Sequence, residues 1–242
     1  MRNAGVNFVT TSASNGLQLR VVVKDGNGLT VTSGSAKLTV GPGITTQPVS
    51  QTVADGSSAV FGVAADGVAT LTYQWQYLSG ATWKAFGAGT GYTTATLTTN
   101  ATDASMNGLQ FRVVVKDGDG LTVTSNTVTL TVGPAITSQP SSQTVTVGHA
   151  ATFSVRAIGV ATLTYEWEYL SGSTWKEFAA GTGYTAETLT TVDTTAAFNG
   201  LHFRVVVTDG DGLTAISNTV TLTVQSSSAS SVQAAAANHG TQ

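Results

Sequence analysis

Two segments of this sequence carry residue spacings that enzymes use. Ser173 and Lys176 stand in the SxxK arrangement, in which a lysine accompanies an acylating serine. The segment alternates as a strand does, however, and its counterpart 92 residues earlier begins with Ala81. The run GAGTGY, from Gly87 to Tyr92, is similar to a phosphate-binding loop but lacks the strand-to-helix context such loops need. We therefore predict a strand at the first segment, a loop between strands at the second, and no catalytic residue at either.

Paired aspartates occur at two places where a hard cation could bind. Asp117 and Asp119 flank one glycine, as do Asp209 and Asp211, and closely spaced carboxylates suit calcium. Each pair lacks the further acidic ligands of an EF-hand loop, and an earlier copy of the segment has Asn27 in place of the second aspartate. Asp-Gly also supplies the positive φ that a tight hairpin requires. A hairpin turn is therefore favoured over weak calcium binding.

Aromatic side chains are the most open candidate for a binding site. They recur at matching positions in two parts of the chain, and on an exposed sheet face they could stack on sugar rings. The favoured alternative is that they cover the open edge of the fold, because aromatic side chains commonly supply packing area. The candidates for glycan binding are Trp83, Phe86, Tyr92, Trp175, Phe178 and Tyr184.

Composition argues against several kinds of partner. The 242 residues carry a net charge of -3 and no basic stripe, so nucleic-acid binding has little electrostatic support. The absence of cysteine excludes disulfides, thiol catalysis and Cys-based metal sites. No run approaches the ~20 apolar residues of a membrane span, and the first residues lack the apolar segment of a signal peptide. We predict no cofactor, no nucleic-acid partner and no membrane span in this chain.

An internal repeat organises the chain. The stretch from Asn107 to Val132 also occurs, with substitutions, from Asn15 to Val40 and from Asn199 to Val224, with a spacing of 92 residues. Such a period decides the domain count better than length does. The predicted organisation is a partial repeat at 1–43, complete repeats at 44–135 and 136–225, and a Ser/Ala-rich linker or tail at 226–242.

Period-two alternation of apolar and polar residues predicts strands within each repeat. Phe111, Val113 and Val115, for example, share one face of a strand. The segment from Ile44 to Val53 contains Pro48 and is predicted to be an edge strand, where a missing N–H costs no ladder hydrogen bond. About seven such strands in each repeat of roughly 90 residues, without helical periodicity, predict an all-β fold, an antiparallel two-sheet sandwich.

Several motifs in fixed order resemble the bacterial immunoglobulin-like (Ig-like) domain, a tandem repeat of secreted and cell-surface proteins. They are ITTQP, AVFGV, TYQWQY, NGLQFRV and SNTVTLTV. The resemblance implies strands A to G, with Trp75 as the buried tryptophan of strand C and Phe111 at the tyrosine-corner position. It also places Val63 and Val113 where other members have a disulfide. Trp167, Phe203, Val155 and Val205 are the counterparts in the next repeat.

The resemblance implies a structural function. We expect a non-catalytic spacer within a larger bacterial protein, extracellular or at the cell surface, that contacts neighbouring repeats. It would hold a functional module away from the bacterial surface, or carry low-affinity adhesive contacts to a surface glycan or protein. The alternative is a carbohydrate-binding accessory module of a secreted enzyme that uses the aromatic candidates. The same sandwich serves many tasks, so the fold does not decide between them.

The partial repeat poses a separate question. The segment from Asn15 to Val40 has strands F and G but lacks strands A to C, so its apolar side chains have no opposing sheet of their own, and an isolated hairpin is marginal in water. Two explanations remain open: the chain is a piece of a longer array, or another chain completes the half-repeat by strand exchange.

Overall fold

The computed structural model describes residue 7 and residues 9 to 226. It divides into two compact units, with the boundary between Gly133 and Pro134. Both are built from strands whose burial follows the predicted alternation: along Gln110–Lys116, every second residue is buried. Helix within the described residues is limited to three 3-10 turns, at Ser12–Ser14, Ala104–Met106 and Ala196–Phe198.

The strands of the first unit belong to a half-repeat and a complete repeat. The half-repeat holds β1 (Gln18–Leu19), β2 (Val22–Lys24), β3 (Thr30–Thr32) and β4 (Ala36–Lys37). The complete repeat holds β5 (Gly43–Thr46), β6 (Gln51–Ala54), β7 (Val60–Gly62), β8 (Ala64–Asp66), β9 (Thr72–Ser79), β10 (Thr82–Ala85), β11 (Thr96–Thr98), β12 (Gln110–Lys116), β13 (Thr122–Thr124) and β14 (Val128–Gly133).

The second unit repeats the plan of the complete repeat. Its strands are β15 (Ala135–Ser138), β16 (Gln143–Thr146), β17 (Thr152–Ser154), β18 (Arg156–Ile158), β19 (Thr164–Ser171), β20 (Thr174–Glu177), β21 (Gly181–Thr182), β22 (Thr188–Thr191), β23 (Leu201–Thr208), β24 (Thr214–Ile216) and β25 (Val220–Gln225).

Each complete repeat is a two-layer sandwich. In the first unit, one sheet has the order β10-β9-β12-β14-β6 with β13 beside β12, and β5–β8 and β7–β11 make up the facing layer. The second unit has β20-β19-β23-β25-β16 with β24 beside β23, faced by β15–β18 and β17-β22-β21. The predicted antiparallel, Ig-like sandwich is confirmed. It also contains one parallel pair in each unit, β6 with β14 and β16 with β25, which the sequence did not predict.

The parallel pair arises because the structure has two strands where the sequence predicted one. The structure divides the predicted edge strand from Ile44 to Val53 into β5 and β6, which belong to opposite sheets. Buried Pro48 lies between them, where a residue without an N–H can end one ladder before the next begins. Gln47 accepts the N–H of Asn126 at 2.9 Å. This hydrogen bond joins the chain to a residue just ahead of β14, the strand with which β6 then pairs.

A tryptophan and two phenylalanines join the two layers of the first unit. Trp75 on β9, Phe61 on β7 and Phe111 on β12 are fully buried, with the Phe61 ring centroid 6.2 Å from Trp75 and 5.2 Å from Phe111. The indole Nε1–H of Trp75 donates to the carbonyl oxygen of Thr94 at 3.0 Å. The second unit has the same arrangement in Trp167, Phe153 and Phe203, at 6.2 and 5.1 Å.

The rest of the core of the first unit is aliphatic except for Phe86. Val63 and Val113, at the positions where the resemblance places an absent disulfide, are both buried. The other buried apolar residues of the first unit are Ala59, Phe86, Leu97, Val115, Val128, Leu130 and Val132. Burial of apolar area, at about 25 cal/mol per Å², therefore stabilises a sandwich that contains no covalent cross-link.

Candidate functional site

The two solvent-side tryptophans occupy equivalent places in the two units. Trp83 lies on β10 opposite Leu78 of β9 and is half-buried. The guanidinium carbon of Arg112 lies over its ring, 4.3 Å from the ring centroid, and the Arg112 Nε–H donates to Gln76 at 2.8 Å. A cation at this distance is attracted by the electron-rich ring face. One face of Trp83 is therefore occupied by Arg112.

The second unit keeps this arrangement and makes it ionic. Arg204 lies over Trp175 with the same 4.3 Å separation. Its Nε donates to Glu168 Oε2 at 2.6 Å, in an ion pair whose side chains are 23% and 15% exposed. Partial burial and the short distance fix the guanidinium above the ring more firmly than a neutral partner would. Trp175 is therefore a rigid, half-exposed ring beside charged groups.

Phe86 and Phe178, predicted as glycan candidates, lie in the core instead. They are 8% and 5% exposed, and their rings stand edge-on to Phe111 and Phe203 at 5.1 and 5.0 Å. A sugar stacks on an exposed ring face, and neither ring presents one. Their rings pack inside the sandwich, next to the ends of β10 and β20.

Tyr92 and Tyr184 are the last residues of the glycine-rich runs. Tyr92 is 37% exposed and Tyr184 is partly buried. Their carbonyl oxygens accept the N–H of Trp75 at 2.9 Å and of Trp167 at 3.0 Å. Their backbone is thus fixed beside the core strand, while the side chains remain partly accessible. Among the described residues, no ring contact joins Tyr92 to Trp83 or Tyr184 to Trp175, so no continuous aromatic platform is formed.

The paired aspartates hold hairpin turns. Asp117 is buried, and its Oδ1 accepts the N–H groups of Asp119 at 3.1 Å and Leu121 at 2.9 Å. Asp209 accepts from Asp211 and Leu213 at 3.0 and 2.9 Å. The Oδ2 atoms of Asp117 and Asp209 are buried and accept no hydrogen bond among the described residues. The turn geometry accounts for one oxygen of each buried carboxylate.

Asp119 makes a contact that the sequence did not predict. Its Oδ2 accepts the side-chain N–H of Asn15 at 2.6 Å, which joins the hairpin turn of the complete repeat to the half-repeat. The Oδ1 of the same Asn15 accepts the N–H of Val40 at 3.0 Å. The second aspartate of this pair is therefore used for a contact between neighbouring repeats within the first unit.

We expect calcium to leave the melting temperature unchanged. Each turn brings two carboxylates, whereas calcium takes six to eight oxygen ligands, and one oxygen of Asp119 is already bonded to Asn15. Among the described residues, no group of three or more His, Asp or Glu side chains is placed to hold a metal ion. Calorimetry with and without millimolar calcium checks this. A saturable rise in melting temperature that is lost in Asp119→Ala would contradict it.

Two titratable groups among the described residues have pKa values shifted away from neutral pH. Hydrogen bonds from the side chain and backbone of Ser105 lower the pKa of Asp103. Burial raises the pKa of Tyr165, and the neighbouring Glu187 carboxylate, to which it donates, raises it further. A lowered carboxyl pKa and a raised phenol pKa both move away from neutral pH, whereas a general acid or base needs a pKa near it.

The SxxK pair was predicted to lie on a strand, and the structure divides it between a turn and a strand. Ser173 is in the turn between β19 and β20, and Lys176 is on β20. Both side chains are exposed. No helix of the described chain is long and apolar enough to cross a membrane.

The chain is similar to part of a bacterial enzyme. It is 35% identical over 188 residues to Endoglucanase C of Cellulomonas fimi, an alignment that covers 76% of this chain and 16% of that protein. The chain therefore spans about a sixth of that relative's length. No family model matches the sequence.

Solved structures that match this chain include tandem Ig repeats of Dlar, which are 23% identical with a TM-score of 0.33, a match that covers 77% of this chain and 98% of theirs. Extracellular domains 3–5 of Drosophila OTK are 17% identical, with a TM-score of 0.46, and the match covers 89% of this chain and 73% of theirs. The titin fragment I67–I69 is 16% identical, with a TM-score of 0.37, covering 78% and 67%. The strand order described above, rather than these matches, defines the sandwich.

Proposed function

We propose that this chain is a non-catalytic spacer of bacterial Ig-like repeats that resists tension within a larger extracellular protein. The observation that carries the proposal is the parallel pairing of a strand near the start of each unit with its last strand. In the first unit Gln51 to Ala54 lie opposite Leu130 to Gly133, and in the second β16 pairs β25 in the same way.

This pairing places the hydrogen bonds where a pulling force would act. When the two ends of a unit are pulled apart, two parallel strands slide past one another along their axes. The hydrogen bonds between them lie across that direction, so they are strained together rather than opened one at a time. The N–H of Asp55 adds a bond to the carbonyl oxygen of Gly133 at 2.9 Å. The geometry thus suits a domain that must stay folded while its ends are under load.

Similarity to part of an endoglucanase supports an accessory role. The matched segment is a minor share of that protein, and here it forms packed sandwiches with buried aromatic cores. We infer that the parent protein of this chain acts on an extracellular polysaccharide, and that the repeats separate its functional parts. Neighbouring repeats of the same parent are the partners this role requires.

Single-molecule pulling tests the spacer function. We expect the complete repeats to unfold in two separate force peaks. Each peak should release about 30 nm of chain, since about 90 residues extend at most ~3.3–3.6 Å each. Continuous extension without peaks would contradict the proposal, because a spacer that yields without resistance transmits no tension.

A second function, glycan binding, is supported by the two half-exposed tryptophans. Trp83 and Trp175 stand at equivalent positions, each held by an arginine and each with one ring face not covered by it. A rigid ring loses little conformational freedom when it stacks on a sugar. The two sites together would raise the apparent affinity for a repeating polymer.

Affinity electrophoresis in soluble β-glucan tests this second function. Glycan binding predicts that the polysaccharide retards the chain. The retardation should fall at least about tenfold in Trp83→Ala/Trp175→Ala, since stacked aromatic residues dominate such contacts. Tyr165→Phe, which removes only the hydroxyl that donates to Glu187, serves as the control. An unretarded chain, or equal retardation of all three proteins, would refute glycan binding through these rings.

A further inference from the structure

The half-repeat exposes a sheet face that the complete repeat buries. Leu19, Val21 and Val23 are 40%, 51% and 60% exposed. Their counterparts 92 residues later, on β12, are each 0% exposed. Apolar side chains in a row on one face of a hairpin form a contact surface rather than scattered exposed residues.

The hairpin from Asn15 to Val40 nonetheless has the geometry of the complete repeat. Leu19 lies opposite Ala36 as Phe111 lies opposite Val128, and the pairing of β2 with β3 matches that of β12 with β13. The two 26-residue stretches differ at six positions, 19, 27, 34, 35, 36 and 37, against 111, 119, 126, 127, 128 and 129. The exposed face is therefore arranged as it would be inside a sandwich.

The complete repeat shows what covers this face. Across the sandwich, Phe61 contacts the face of β12 through Phe111, at 5.2 Å. In the plane of the sheet, β9 pairs along one side of β12, and β6 pairs along the outer side of β14. The covering elements, β6, β7 and β9, all lie within residues 44 to 106. Among the described residues, β1 to β4 pair only with one another.

We infer that the hairpin from Asn15 to Val40 is a docking surface for strands A to E of an Ig-like repeat, the part equivalent to residues 44–106. The surface offers apolar side chains to the opposing layer and unpaired strand edges to the two flanking strands. In a second copy of this chain, residues 44–106 are already paired with that copy's own β12 and β14. A free A-to-E segment is therefore the occupant that fits, in preference to self-association.

Two substitutions on the docking face adjust the fit. Leu19 stands where the complete repeat has Phe111, whose ring contacts Phe61 and Phe86, and Ala36 stands where it has Val128. Both are smaller, so a docked segment would leave unfilled space beside them. Leu19→Phe/Ala36→Val restores the larger residues and should tighten binding at least about fivefold, because well-filled contacts dominate an interface.

The test adds a purified peptide of residues 44–106 to the full chain. We expect saturable binding by surface plasmon resonance, and shifts in the NMR spectrum of the labelled chain that centre on residues 15–40. Val21→Asp places a charge on the docking face and should weaken binding at least about tenfold. Val22→Asp, one residue on and on the opposite face of the strand, is the matched control and should bind as the unaltered chain does.

Three results would overturn the inference. The first is absence of binding by both the unaltered chain and Leu19→Phe/Ala36→Val. The second is binding that Val21→Asp leaves unchanged, which would place the peptide elsewhere, including on the complete repeats. The third is concentration-dependent self-association of the chain that Val21→Asp abolishes, which would make a second copy the occupant.

Discussion

Replacing Trp75 with alanine is expected to lower the free energy of unfolding of the first unit by about 3–5 kcal/mol. The side chain is fully buried, its ring lies 6.2 Å from Phe61, and its indole N–H donates to the carbonyl of Thr94. The substitution therefore leaves a large cavity between the layers and a carbonyl without its donor. Denaturant unfolding followed by circular dichroism measures the loss.

The other tryptophan of the repeat is the matched control. Trp83 is half-buried and contacts Arg112 over one face, so Trp83→Ala should cost only about 0.5–1 kcal/mol, the range of an exposed cation–π contact. Trp167→Ala should reproduce the large effect in the second unit. Equal losses for Trp75→Ala and Trp83→Ala would contradict the placement of Trp75 between the layers.

Replacing Gly91 with alanine is expected to destabilise the first unit by about 2–5 kcal/mol. The φ of Gly91 is +74°, a conformation that costs an L-residue about 1–2 kcal/mol. A Cβ at this position would lie 2.0 Å from the carbonyl oxygen of Thr96, and relieving that overlap adds about 1–3 kcal/mol. The glycine-rich run thus serves close packing against β11.

Gly87, four residues earlier in the same run, is the control. A Cβ there meets nothing within 4 Å, and the equivalent residue of the second unit is Ala179. Gly87→Ala should therefore leave the unfolding midpoint unchanged, whereas Gly183→Ala should repeat the effect of Gly91→Ala in the second unit. If Gly87→Ala and Gly91→Ala had the same effect, steric contact with β11 could not be its cause.

The strands that contribute most to the fold were predictable because their signal is local. Along β12 the residues alternate between core and surface, and Asp117 and Gly120 mark the turn that follows. Because the stretch occurs three times in the sequence, the same hairpin was predicted at two further places. The division at Pro48 was not predictable in this way, because the segment after it pairs with a strand about 80 residues later. Proline indicates where a ladder is interrupted but not which strand is joined next.

The spacing in the sequence already distinguished the buried aromatic candidates from the half-exposed ones. Trp83 and Phe86 are three residues apart, and on a strand that spacing places them on opposite faces. The structure follows this rule, with Trp83 toward solvent and Phe86 in the core. The arginine above each tryptophan depends instead on the register of β12 against β9, and that of β23 against β19. Such register between strands distant in the chain is not encoded in local periodicity.

The most direct test of the spacer function alters the parallel pair itself. Asp55 donates its N–H to β14, so the N–H of Val53, two residues earlier, faces the same strand. Val53→Pro removes that donor, whereas Val53→Ala shortens the side chain and keeps it. In single-molecule pulling, the proposed function predicts that Val53→Pro lowers the unfolding force of the first unit well below that of Val53→Ala. The force of the second unit, the internal reference, should stay constant. Equal forces for the two variants would show that the β6–β14 pair does not resist tension and would contradict the account.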